Sequence, residues 1–322
     1  MFKVIMAPTE GVDSERSAIS AAVKLAQRFD ADLHLVRVET APLVIETVAR
    51  QPALRITEQT LLDERLARLH KLEALGTECR ALGAIRVMTA LEDGRVAPTL
   101  RDYAREFNVD LIVMSSHSRG GVKRITLGSV TDYLIRHTNI PVLVVKPPVS
   151  FIGATPEEAF SRIVVPLDGS PLAQQILPEV AALASRLNAT LCLLQVLTPV
   201  TYSQKEIMQP GLPWWDTDIA TANAYLDRCV SYLAEEGLTV SKDVVLSNDI
   251  ATAILDYSAR TRADLIAVAT SGSGGMSRFL FGTVADEITR KSATSLLVIH
   301  PKRSAVTDET PGPSKAQVLA GA

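Results

Sequence analysis

Residues 110–132 read DLIVMSSHSRGGVKRITLGSVTD, and residues 264–286 read DLIAVATSGSGGMSRFLFGTVAD. Asp110, Leu111 and Ile112 match Asp264, Leu265 and Ile266. Gly120-Gly121 match Gly274-Gly275, Arg124 matches Arg278, Gly128 matches Gly282, and Val130 and Asp132 match Val284 and Asp286. The offset is 154 throughout, and Tyr103 with Tyr257 obeys it too. Nearer the start the offset is 158: KVIMAP (3–8) matches SRIVVP (161–166), Leu25-Ala26 match Leu183-Ala184, and Val38 matches Val196. A four-residue difference inside one connection reconciles the two offsets, and loops tolerate such changes. So many matches in one register mark a duplicated domain, with a period far too long for a solenoid.

Each copy alternates short apolar runs with helical patterns. In repeat one the strands are Val4–Ala7, Leu33–Val38, Ile85–Met88, Leu111–Met114 and Val142–Val145. Helical spacing covers Ser14–Arg28, Leu61–Leu75, Val96–Phe107 and Val130–His137. Repeat two gives strands at Ile163–Val165, Leu191–Val196, Val244–Leu246, Leu265–Ala269 and Leu296–Ile299. Continuous apolar strands between helices predict a parallel sheet covered on both faces. The expected fold is α/β: two tandem doubly wound five-stranded parallel-sheet domains, each with strand order 3-2-1-4-5. The boundaries fall at 1–147 and 161–302, with a proline-rich linker at 148–160 and a disordered tail at 303–322. The leucine stripe Leu62, Leu66, Leu69, Leu72 and Leu75 is expected to be core or inter-domain packing. Trp214-Trp215 are expected in the long loop after Gln209-Pro210-Gly211-Leu212-Pro213.

Composition excludes several classes. In 322 residues, 47% are hydrophobic and 21% charged, and 33 basic against 36 acidic residues leave a net charge of −3. That balance gives no broad attraction to nucleic acid or anionic membrane. No apolar run reaches the ~18 residues of a membrane span. The apolar start Phe2–Met6 is too short for a secretory signal, so the cytoplasm is the expected location. Cys79, Cys192 and Cys229 are scattered, without metal-ligand spacing, and read as small buried hydrophobes in a reducing compartment.

A doubly wound sheet binds ligands beyond the carboxyl ends of its strands. After strand four of repeat two, Val268-Ala269-Thr270-Ser271-Gly272 leads through a glycine-rich loop to Gly282-Thr283-Val284, where a helix opens. Such loops turn amides toward an anion, and a helix start adds free N–H groups and partial positive charge. Thr283-x-x-Asp286 and Ser129-x-x-Asp132 also match a capping pattern that requires no ligand. Arg124 and Arg278 either reach phosphate oxygens or stand solvated on the loop.

These patterns resemble the universal stress protein family across both repeats, from Met1 to about Lys302. The family's nucleotide pattern is G-x₂-G-x₉-G-[ST] between strand four and the next helix. Repeat two has Ala269 at the first glycine, then Gly272, nine residues, and Gly282-Thr283. Repeat one has Ser115 and Ser118 at the early glycines, with His117 between them, then Gly128, Ser129 and Val130. The resemblance implies an acidic residue after strand one near the adenosine: Asp168, after Pro166-Leu167, and Glu10, after Pro8-Thr9. It implies that the ends of strand two, Val196 and Val38, touch adenine. Family members divide into those that bind ATP and those that lack the glycines, so ATP, with or without Mg²⁺, is expected chiefly in repeat two. Family members also dimerise through their last strands. Here Val142–Val145 and Leu296–Ile299 are expected to pair antiparallel within one chain as an internal pseudo-dimer, with further pairing of whole chains also open.

The implied function is a cytoplasmic stress-response protein that binds ATP or a related adenine nucleotide and signals through a protein partner. There is no readable catalytic base, metal cluster or GxxxxGK[ST], so at most slow ATP hydrolysis is expected. A nucleotide-free interaction scaffold of the same fold is the alternative. An ATP pyrophosphatase-like enzyme of the adenine nucleotide alpha hydrolase type would need a SGGxDS-type loop, which Asp168-Gly169-Ser170-Pro171 does not supply.

Overall fold

The computed structural model describes residues 2–11, 15–40, 58–116, 127–146, 160–199, 214–270 and 282–301. Repeat one runs β1 (Val4–Pro8), α1 (Arg16–Phe29), β2 (Asp32–Glu39), α2 (Glu58–Ala81), β3 (Arg86–Asp93), α3 (Val96–Glu106), β4 (Leu111–Ser115), α4 (Ser129–His137) and β5 (Val142–Val145). Repeat two runs β6 (Arg162–Pro166), α5 (Pro171–Gln174), α6 (Leu177–Leu187), β7 (Thr190–Leu197), α7 (Trp214–Glu235), β8 (Val240–Leu246), α8 (Ile250–Arg260), β9 (Leu265–Ala269), α9 (Thr283–Lys291) and β10 (Ser295–Ile299). Residues 148–159 of the expected linker, the expected tail, and Arg124 and Arg278 lie outside the described residues.

The strands form one ten-stranded sheet in the order β3-β2-β1-β4-β5-β10-β9-β6-β7-β8. Each half has the expected 3-2-1-4-5 order, and every pair within a half is parallel. The halves join where β5 meets β10 antiparallel, with Val144 opposite Leu296, Leu143 opposite Leu297 and Val142 opposite Val298. The internal pseudo-dimer is therefore continuous sheet. Both strands are buried along their whole length, as their Val, Leu and Ile content requires of strands covered on both faces. The apolar layer on each face draws on both repeats. A charged contact crosses the same seam: Arg136 of α4 donates to Asp132 at 3.0 Å and to Asp286 of α9 at 2.5 Å.

The duplication extends to backbone conformation. Asp30 and Asn188 end α1 and α6 with φ of 52° and 54°, and Asn108 and Arg262 follow α3 and α8 with φ of 49° and 54°. Asp and Asn tolerate this left-handed region through local hydrogen bonding, so the first pair terminates its helices cheaply. The aspartates that open the two quoted stretches have the same structural task. Asp110 accepts from the backbone N–H of Lys3 and Val4 at 2.6 and 3.0 Å, and Asp264 accepts from those of Ser161 and Arg162 at 2.9 and 3.0 Å. Each ties the start of strand four to the start of strand one. The offset changes between β2 and α2 in one copy and β7 and α7 in the other, because β2 and β7 obey 158 whereas Gly83 and Gly237 obey 154.

Two expectations need correction. The leucine stripe is core only in its second half: Leu72 is buried, whereas Leu62 and Leu66 are 49% and 43% exposed. β3 is an outer strand of the sheet, and it cannot cover the full length of the 24-residue helix α2 that packs on it. Trp214 and Trp215 do not lie in a loop. They open α7. Cys79, Cys192 and Cys229 are buried free thiols, as expected.

Candidate functional site

The carboxyl ends of β1 and β4 in one copy, and of β6 and β9 in the other, define two matched edges. Past β1 and β6 the chain pairs one residue further: Thr9 N–H donates to the Val36 carbonyl at 2.9 Å and Leu167 N–H to that of Leu194 at 2.8 Å. Both copies then turn through a glycine in the left-handed region, Gly11 at φ 78° and Gly169 at φ 81°. Glycine adopts that conformation without the strain most L side chains incur, which suits it to the matched position.

The two loops part company in what satisfies their amides. In repeat two the Asp168 carboxylate accepts from Ser170 N–H at 2.9 Å, and the Ser170 hydroxyl accepts from Ala173 N–H at 3.1 Å, capping α5. In repeat one the carboxylate of Glu15 accepts from the Thr9 hydroxyl at 2.8 Å, from Glu10 N–H at 2.9 Å and from Gly11 N–H at 3.3 Å. A carboxylate of the chain itself thus sits on the first loop's donors. The matched position in repeat two is Ala173, which has no acceptor to offer. Sequence reasoning missed Glu15; its signal was a carboxylate at the start of α1 where the second copy has alanine.

At the second edge the capping expectation is corrected. Gly128 and Gly282 occupy the N-cap positions of α4 and α9, and among the described residues neither N-cap makes a side-chain cap hydrogen bond. Ser129 and Thr283 stand one residue inside and are exposed. Asp286, which the capping pattern would aim at the helix start, is held by Arg290 at 2.8 Å and Arg136 at 2.5 Å. Gly282 N–H donates to the Thr270 carbonyl at 2.7 Å, fixing the helix start beside the end of β9. A side chain at 282 would bring its Cβ within 3.3 Å of that carbonyl.

Of the remaining expected residues, Val196, Val268 and Val284 join one apolar layer, as do Val38 and Val130. Leu167 and Ala269 join the layer on the opposite face. Pro8, Pro166 and Ser115 end their strands half-buried, and Glu10 stands beside Arg37, which donates to its carbonyl at 2.8 Å. His117, Ser118, Ser271 and Gly272 lie outside the described residues. Among the described residues no group of His, Cys, Asp or Glu could hold a metal ion, and no helix is long and apolar enough to cross a membrane.

The sequence profile of the universal stress protein family matches residues 1–146 and again residues 159–300. The chain belongs to that family. A universal stress protein of Mycolicibacterium smegmatis is 26% identical over 303 residues, spanning 91% of this chain and 96% of the relative, so the tandem arrangement is shared along the full length. One from Methanocaldococcus jannaschii is 30% identical over 149 residues, 46% of this chain and 84% of its own. Among solved structures, a universal stress protein of Archaeoglobus fulgidus has the same fold over 92% of this chain and 98% of its own, with a TM-score of 0.68 at 16% identity. Within this universal stress protein, the two copies present the same edge with different chemistry: an internal carboxylate on the loop of repeat one, and none at the matched place in repeat two.

Proposed function

We propose that this universal stress protein binds ATP or a related adenine nucleotide, chiefly in repeat two, and acts in stress response through binding and signalling. One observation carries the reading. Among the described residues the Gly282 N-cap of α9 makes no side-chain cap hydrogen bond, and nine residues separate Gly272 from Gly282-Thr283. Free amides at a helix start attract a phosphate. Pro166, Leu167, Asp168 and Val196 would then meet the nucleoside, while Val268, Ala269, Ser271, Gly272 and Val284 would complete the phosphate edge. Glu15 argues for weaker binding in repeat one, because an incoming anion there meets a carboxylate. The same reading divides the chain into domains at 1–147 and 161–302 and places it in the cytoplasm.

The test is native mass spectrometry of the purified chain, followed by thermal unfolding with ATP and magnesium. At roughly 100 times Kd a ligand adds about 2.7 kcal/mol of stability. Gly272→Val is expected to abolish that gain and Asp168→Ala to reduce it. No bound nucleotide and no gain in the parent chain would leave the nucleotide-free scaffold as the function.

A further inference from the structure

The outermost strand of repeat one has β2 on one side and, among the described residues, no strand on the other. Gly94 N–H donates to the Glu39 carbonyl on β2. Residues of a strand alternate in which neighbour they bond, so the backbone groups of Val87, Thr89 and Leu91 on β3 point outward. Exposed apolar side chains stand at both ends of this outer edge. Leu62 and Leu66 of α2 flank the end of β3, where Arg65 meets Asp93 at 2.6 Å. Leu82 and Ile85, 55% and 68% exposed, flank its start.

Repeat two shows that the fold does not require such an edge. Leu35 and Leu193 match at the offset of 158; Thr89 lies opposite the first and Lys242 opposite the second. Lys242, which Asp227 meets at 2.7 Å, therefore takes the place of Thr89. At the offset of 154, Glu236 takes the place of Leu82 and Ala220 that of Leu66. Charged side chains, lysine above all, protect an outer strand from pairing with another chain. β8 carries that protection at its centre, and β3 does not.

The residues of β3 suit a second copy of the same strand. Arg86, Met88, Ala90 and Glu92 leave on one face, and Val87, Thr89 and Leu91 on the other. In an antiparallel pair centred on Thr89, Arg86 stands opposite Glu92 of the second copy, Met88 opposite Ala90, and Val87 opposite Leu91. Each opposed pair shares a face. One is of opposite charge, two are apolar, and Thr89 meets Thr89, all of them favourable cross-strand combinations. Arg86 also meets Asp30 and Asp32 of its own chain and stays half exposed. Sliding the centre to Ala90 would set Met88 against Glu92 and Val87 against Asp93, so the side chains select the first register.

The same twofold brings the two apolar ends together. A Cβ at Gly76 would lie 2.9 Å from the Thr89 Cγ2, so the centre of the pairing lies beside Gly76 of α2. Leu66 is ten residues from Gly76, about 15 Å along the helix. Ile85 is four residues from Thr89 toward the opposite end, about 13 Å along the strand. Rotation about an axis through Thr89 therefore sets Leu66 of one copy level with Ile85 of the other, the self-complementarity that an isologous contact needs. The β5–β10 seam already joins the two repeats in this manner, antiparallel and with opposed residues on shared faces. We propose that the chain forms a twofold dimer in which β3 pairs antiparallel with β3 of a second copy, carrying one sheet through both chains.

The test is sedimentation equilibrium of the full chain over a concentration series, with hydrogen–deuterium exchange measured at both ends of the series. A species of twice the chain's mass is expected, and the amides of β3 should gain protection as concentration rises while those of β8 do not. Thr89→Lys copies the edge of repeat two, sets two like charges opposite each other, and should weaken the dimer about hundredfold. Leu66→Lys changes an exposed position of α2 and should weaken it about tenfold. Circular dichroism checks that each variant folds, and Leu66→Lys decides if Thr89→Lys does not. The proposal is overturned by a chain that stays monomeric at every concentration, by a dimer that the folded variants leave intact, or by protection that appears on β8 instead of β3.

Discussion

Leu143 and Leu297 face each other where the two repeats share a strand pair, and each is 1% exposed. Truncating either to alanine removes three carbons from a close-packed layer that both repeats build. At about 0.8 kcal/mol per carbon group the transfer loss is about 2.4 kcal/mol, and incomplete collapse of the cavity raises it to about 3 kcal/mol. Directly opposed residues lie close enough to touch, with Cβ atoms roughly 5 Å apart. The second truncation therefore costs less than the first, and Leu143→Ala with Leu297→Ala should fall short of additivity by about 1 kcal/mol. Urea unfolding followed by circular dichroism, with calorimetry as the check on cooperativity, measures all three variants. One transition should move in every case, because the seam is core to both halves. Two separable transitions, each shifted by one variant alone and with no coupling, would mean that the repeats fold as independent units and that the continuous sheet contributes little.

Two further outcomes follow from polar groups near the same edges. His300, next to Thr270 with Nδ1 3.2 Å from its hydroxyl, has its imidazole pushed down to about 4 by burial. The unfolded chain takes up this proton near pH 6.5 and the folded chain only near pH 4, so stability is full above 6.5 and falls as the pH drops toward 4. The loss by pH 5 should be about 2 kcal/mol, and His300→Gln should flatten that slope in urea titrations at each pH; an unchanged slope would remove His300 as its source. Glu15→Ala strips the acceptor from Thr9, Glu10 and Gly11 and should cost about 2 kcal/mol. Urea unfolding at neutral pH measures it, and no loss would show that water serves those donors equally well.

The fold was legible because its signals are local and were given twice. A four- or five-residue apolar strand reads the same in any context, and the pairing of β5 with β10 follows from two such strands having exposed edges in isolation. The site was less legible because it depends on which group satisfies which amide. The pattern Thr283-x-x-Asp286 reads as a cap, yet the helix starts at Gly282, and Asp286 turns instead to Arg136, 150 residues away. No window of sequence contains that competition. Glu15 poses the same problem in reverse, since a carboxylate near a helix start looks like ordinary dipole stabilisation until three donors of the preceding loop converge on it. The difference between the copies is nonetheless written in aligned pairs: Glu15 with Ala173, Arg37 with Gln195, and Arg68 with Ala222. In each pair repeat one holds a charged side chain that fills its own edge, and repeat two holds a smaller or neutral one. Repeat two has no counterpart of Glu15, Arg37 or Arg68 at these positions, yet Gly11 and Gly169 turn with φ of 78° and 81°, so the two edges differ in side-chain chemistry on a matched backbone.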